Sequence, residues 1–171
     1  MKRALTLFIC AALSLMLLSS CAIPVNVNHN GIVLPISSRT LRSVYHEFLM
    51  GYNELFEIYR LDESTAADVV QAIHGNKNWQ PLPMAGSVSG TVYGLNKEVS
   101  ELVQVGEKED MVMPVLDSGY YSIYDTGNKS YYIMDHIGYD YLTEGYCLSV
   151  FDTNTLTFYY FKTTTPKSPQ D

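Results

Sequence analysis

The chain has 171 residues, 47% of them hydrophobic and 17% charged, and a formal net charge of −7. An acidic balance of that kind repels phosphate backbones and anionic headgroups, which argues against nucleic-acid binding and against electrostatic adsorption to lipid. The length suits one domain with a core of its own.

The opening MKR carries two cations and no acid, and the run ALTLFICAALSLMLL that follows carries no charge. That is the layout of a secretory signal peptide. The run is about fifteen residues, short of the roughly 20 that a membrane-spanning helix needs. It ends in Leu18, Ser19, Ser20 and Cys21, which resembles the lipobox of bacterial lipoproteins. The resemblance covers residues 1–21. It implies removal of residues 1–20, a diacylglycerol thioether on Cys21 and acylation of the new amino terminus by a palmitate-type chain. More than one chain is what stable anchoring requires. The protein is then expected in the bacterial cell envelope, held to the membrane by its lipid. Ala22 in place of an Asp favours the outer membrane, facing the periplasm, if the host is Gram-negative. Loss of Lys2 and Arg3 with no acid takes the net charge from −7 to −9, and 171 residues less twenty leaves 151. Cys10 goes with the signal and Cys21 is lipidated, so Cys147 has no disulfide partner. It reads as a small buried hydrophobe in a strand.

Residues 21–37, Cys21 followed by AIPVNVNHNGIVLPIS, read as a tether rich in Asn and Pro, with a short strand at 31–36. The sixteen residues after the cysteine reach at most about 55 Å when extended. A long helix is expected over 38–61, because Leu41, Val44, Tyr45, Phe48, Leu49, Tyr52, Leu55, Phe56 and Tyr59 recur at three- and four-residue steps. Ser38 is its N-cap, and the column Tyr45, Tyr52 and Tyr59 reads as a core face, two heptads being too few for a coiled coil. A second helix is expected over 65–74, with Thr65 and Asp68 spaced as a capping box and Gly75 as terminator. The two form a helical hairpin.

Residues 75–90, GNKNWQPLPMAGSVSG, form a long loop that carries the single tryptophan, Trp79. Such loops are functional or disordered. Trp79 is either a binding anchor or a plug between helix and sheet. Residues 96–105 fit a short helix capped by Asn96, with a strand as the alternative, and 106–110, GEKED, are a solvated charged turn.

The last third holds short runs rich in β-branched and aromatic residues: MVMPVL, YYSIYD, SYYIMD, YCLSVFD and LTFYYFK. SIYDTGN from Ser122 is echoed 27 residues on by SVFDTNT from Ser149. Each echo ends a strand in an Asp-led turn, so two tandem hairpins and an antiparallel meander are expected. Ten of the fourteen tyrosines lie between Tyr120 and Tyr160. The adjacent pairs put one ring on each side of the sheet. Helices are expected to cover one side and tyrosines to half-cover the wet one; a stacking surface including Tyr120 and Tyr132 is the functional alternative.

Motifs for chemistry are incomplete. His46 and Glu47 open a zinc-type HExxH pattern, but its fifth position is Met50, and TGNKS at 126–130 lacks the spacing of a phosphate loop. The one constellation is Asp135, His136 and Asp140, with His74 or Asp125 as a further member, suited to a divalent metal or to acid/base work. The expected fold is α+β: an N-terminal helical hairpin packed on an antiparallel β-meander of about four to six strands. Residues 38–165 form that one domain, and 166–171 are a flexible tail. The expected function is a non-catalytic binding or accessory lipoprotein that meets an envelope protein or cell-wall glycan, with Trp79, Tyr120 and Tyr132 as contacts and no cofactor. The alternative is a metal-dependent or acid/base hydrolase of envelope material at Asp135, His136 and Asp140.

Overall fold

A computed structural model describes residues 27–35, 38–48, 53–84, 92, 102–106, 109–127, 129–132 and 145–164. Two antiparallel strands, β1 (Val27–His29) and β2 (Ile32–Leu34), are joined by Asn30 and Gly31. Both turn residues have positive φ, 51° and 83°. Asn-Gly tolerates that backbone, which matches the twist of the flanking strands. This hairpin lies within the stretch read as a tether.

The 38–61 segment is not a helix. It forms β3 (Arg39–Glu47) and β4 (Asn53–Arg60), paired antiparallel from Arg39↔Arg60 to Glu47↔Asn53. The helical hairpin expected from the sequence is therefore replaced by a β-hairpin, and the described helix follows it. Two physical reasons decide this. β4 is buried on parts of both sides, so its apolar residues Leu55, Phe56, Ile58 and Tyr59 run almost continuously and mimic helical steps. Its backbone also satisfies β11 (Thr157–Thr164) along eight register pairs, from Thr157↔Arg60 to Thr164↔Asn53. A helix there leaves that row of N–H and C=O groups without partners. The tyrosine column is dispersed as well: Tyr59 is 6% exposed and Tyr45 58%.

Helix α1 (Glu63–His74) matches the second expected helix closely, with a different cap. Asp62, not Thr65, is the N-cap: its Oδ1 accepts from Thr65 N at 2.7 Å and from Ser64 Oγ at 2.9 Å. Those bonds hold the Asp62 carboxyl below its usual range, the Thr65 amide contributing most. Gly75 closes the helix, its N–H reaching Gln71 O. Thr65, Ala66, Val69 and Ile73 form the buried stripe.

The remaining strands are β5 (Gln80–Pro81), β6 (Leu102–Gln104), β7 (Val112–Pro114), β8 (Gly119–Asp125), β9 (Ser130–Tyr132) and β10 (Tyr146–Asp152). The main sheet runs β3-β4-β11-β10-β8-β5, with β9 also on β8; β6 and β7 form a separate hairpin. The sheet is antiparallel but is not a meander, because β10 pairs with β8 rather than with β9, and β4 joins β11 from the other end of the chain. At Gly119, φ is 124° and the Phe151 carbonyl occupies the space of a Cβ, so the entry to β8 needs glycine.

The repeated Asp turns have the same chemistry. Asp125 Oδ1 accepts from Gly127 N at 2.8 Å, and Asp152 Oδ1 from Asn154 N at 2.9 Å. Ser122 and Ser149, which open the two echoes, are cross-strand partners.

Both sides of the central strands are covered: among the described residues Tyr121, Tyr159 and Tyr160 are buried, and Tyr120, Tyr124 and Tyr146 are half-buried. On one side Phe56, Ile123, Leu148, Val150 and Phe161 pack with Met111, Met113 and Val105 from the β6–β7 unit, and with Met84, Val92 and Leu116. On the other, Tyr59, Phe151, Phe158 and Tyr160 pack under Ile32 and Leu34 of the β1–β2 hairpin, α1 and Trp79. Side-chain alternation sends Tyr121 and Tyr159 to the first core, and Tyr120 and Tyr160 to the second.

Candidate functional site

The second core is unusual for its polar content. Where the Asn30–Gly31 turn meets the sheet, the sheet offers small residues: Ser122, Ser149 and Cys147, each under 10% exposed. Their size leaves a recess that seats the turn. Asn30 Nδ2 donates to Ser122 O at 3.0 Å and to Cys147 O at 3.2 Å, while Trp79 Nε1 donates to Asn30 O at 3.2 Å. Cys147 also accepts from Tyr160 Oη at 3.4 Å, and burial pushes its thiol up, away from nucleophilic use.

His29 lies beside this seat with 1% exposure, its ring 4.0 Å from that of Tyr160 and 5.4 Å from that of Tyr59. Among the described residues neither ring nitrogen has a hydrogen-bond partner, and Glu57 Oε2 stands 3.8 Å from Nε2, beyond bonding distance. Burial lowers His29 to about 4, so it is neutral at neutral pH. Burial, and then the Glu57 carboxylate, push the Tyr59 phenol above its ordinary range. The arrangement is a polar seat for the hairpin.

Seating the hairpin beside α1 leaves a groove between them of about 400 Å³. One wall is Ile32, Val33 and Pro35, and the other is Asp68, Val69 and Ala72. Val33 is 49% exposed at its mouth, and Asp68 is exposed at its rim. Asp62 and Glu63, both exposed, open the same helix. The groove is thus apolar inside and acidic at its edge, with a volume in the range of ligand pockets.

The residues singled out from the sequence are scattered. Trp79 is 6% exposed and is a plug, packed on Phe158 at a ring distance of 5.9 Å. Tyr120 is half-buried, its hydroxyl 2.8 Å from His74 Nε2. Tyr132 stands opposite Ile123 in the β8–β9 register. Cys21, Asp135, His136 and Asp140 lie outside the described residues. His74 and Asp125 do not converge: Tyr120, which holds His74, and Asp125 sit at opposite ends of β8, about 17 Å apart along a strand of that length. Among the described residues no three His, Cys, Asp or Glu side chains gather to hold a metal. His46, the start of the failed zinc pattern, donates from Nε2 to Asp110 Oδ1 at 3.0 Å. That bond ties the turn before β7 to β3 and holds the Asp110 carboxyl low. The charged turn at 106–110 therefore has a structural anchor.

Sequence reading missed His29, Asn30 and the groove. Asn30–Gly31 between VNH and IVL was the available signal, since Asn-Gly flanked by apolar alternation marks a tight hairpin. The chain matches no family model, no curated protein and no solved structure.

Proposed function

We propose that the protein is an envelope-anchored, non-catalytic binding module, held by a lipid on Cys21, whose groove takes an apolar segment bearing a basic residue from a protein partner. The observation that carries this reading is the groove between β2 and α1, apolar within and bordered by Asp68. Charge supports a basic partner, since the whole chain is acidic at −7 and the start of α1 adds Asp62 and Glu63. The lipobox at residues 18–21 supports the anchor, which confines both partners to a thin layer and raises their effective concentration.

The test places a photoreactive amino acid at Val33 in intact cells. The expected product is an adduct whose crosslinked peptide joins apolar residues to Lys or Arg, and which falls at least several-fold in an Asp68→Lys background. Adducts indifferent to Asp68→Lys, adducts to glycan alone, or no adduct overturn the groove reading. Labelling with a fatty-acid probe checks the anchor: Cys21→Ser loses the label, and retained label refutes it.

A further inference from the structure

The two edges of the main sheet differ. Beyond β8 the sheet is closed off by β5 and β9, two and three residues long, and β5 carries Pro81. Short strands and proline are how natural sheets blunt an edge. At the other end β3 is nine residues long, contains no proline, and among the described residues pairs on one side only. Its Leu41 and Tyr45 are 51% and 58% exposed. A long edge with exposed apolar side chains is a template for another strand.

We propose that the strand it accepts is β3 of a second copy of this chain, paired antiparallel about a two-fold axis through Ser43, so that the two sheets become one. Self-pairing demands a self-complementary strand, and β3 is one. With Ser43 on the axis, position 41 of each copy faces position 45 of the other. Leu41 and Tyr45, both more than half exposed, then cover each other twice. The charges agree: Arg39 and Arg42 occupy the first half of the strand and Glu47 its last position. Antiparallel alignment brings the acidic end of each strand to the basic end of the other, whereas parallel alignment stacks like on like. Leu41 is the bulged residue between Thr40 and Arg42 and ends the regular run, so the paired segment is residues 41–45, with Arg42 inside it and Arg39 and Glu47 outside. This interface rests on β3 and is independent of the groove.

A charge exchange tests both the dimer and its register. The full chain in detergent is expected to sediment as two copies, and Leu41→Glu or Tyr45→Lys alone to weaken association roughly tenfold or more, since each buries an unpaired charge at two symmetric places. The double variant Leu41→Glu/Tyr45→Lys is expected to regain the dimer, because each new carboxylate then faces a new ammonium on the other copy. Within one chain the two positions are about 13 Å apart, too far to pair. Circular dichroism confirms that each variant keeps its strand signal. Asp68→Lys, which disables the groove, stays dimeric. A single-copy wild type, single variants that stay dimeric, or a double variant that stays monomeric each overturn the proposal.

Discussion

The two cores that sandwich the main sheet are built on different principles. The side facing β6 and β7 is filled mainly by apolar bulk: Met84, Met111 and Met113 lie against Phe56, Ile123, Leu148, Val150 and Phe161, with the buried Glu54 carboxylate at its margin beside Gly106. Methionine adapts to irregular gaps, so such a core accepts several arrangements of similar volume. The side facing α1 instead contains His29, Asn30, Ser122 and Ser149, all under 9% exposed. Asn30 bridges two carbonyls of different strands and its own carbonyl takes the Trp79 indole N–H, so the β1–β2 turn has one seat. The cover on one side is thus fitted mainly by volume, with the His46–Asp110 bond at its edge, and on the other by buried hydrogen bonds. A misplaced turn there leaves buried polar groups unpaired, at about 1–3 kcal/mol each.

The largest expected effect breaks the hydrogen-bonded side at its apolar base. Phe158 is 0% exposed and touches both the Trp79 and the His29 rings. Phe158→Ala is expected to cost about 3–5 kcal/mol in a urea titration. Water entering that space also weakens the pH dependence described next.

The second prediction concerns His29. Its folded value of about 4 lies below the ordinary 6.5. Between those values the unfolded chain binds a proton that the folded chain refuses. The contribution is therefore whole above pH 6.5, declines as the pH falls toward 4, and is lost below it, a total of about 3 kcal/mol. Of the groups facing the ring, the phenols of Tyr59 and Tyr160 do not titrate in that window, and Glu57 is the nearest charge. Urea titrations at pH 7 and pH 4 are expected to differ by that amount more in the wild type than in His29→Phe. An equal pH dependence in the two removes His29 as its source.

The smallest effect belongs to the side packed by size. Met113 is 0% exposed, yet Met113→Leu nearly conserves volume and is expected to cost under about 1.5 kcal/mol. A larger loss in the same titration means that this core is as exacting as the other, and the contrast fails.

Parts of this architecture were legible in the residues. β8, β10 and β11 follow from YYSIYD, YCLSVFD and LTFYYFK, and the Asp-led echoes gave the turns at Asp125 and Asp152. The α1 boundaries were nearly right because the stripe of Ala66, Val69 and Ile73 and the terminator Gly75 are local features. The cap was misread by three residues, since Asp62 and Thr65 are both plausible caps and only the Thr65 N–H settles which oxygen accepts. Of the functional features, Trp79 was named as a contact residue and is instead buried as a plug, and the groove could not be read at all. Its walls come from β2 and α1, about 30 residues apart in sequence, and neither wall is distinctive on its own.

The sequence by itself determined those elements whose signals are local: the aromatic strands of the last third, their Asp turns, and one capped helix. The tertiary structure alone decided the 38–61 segment. Its apolar spacing fits a helical stripe as well as a strand with two covered sides, and Gly51 between the two strands is only a weak local signal against a helix. The waiting backbone edge of β11 settles the choice, about 100 residues away, because eight residues of buried N–H and C=O groups must find partners. The hairpin that meets this need also makes β3 the outer strand of the sheet among the described residues.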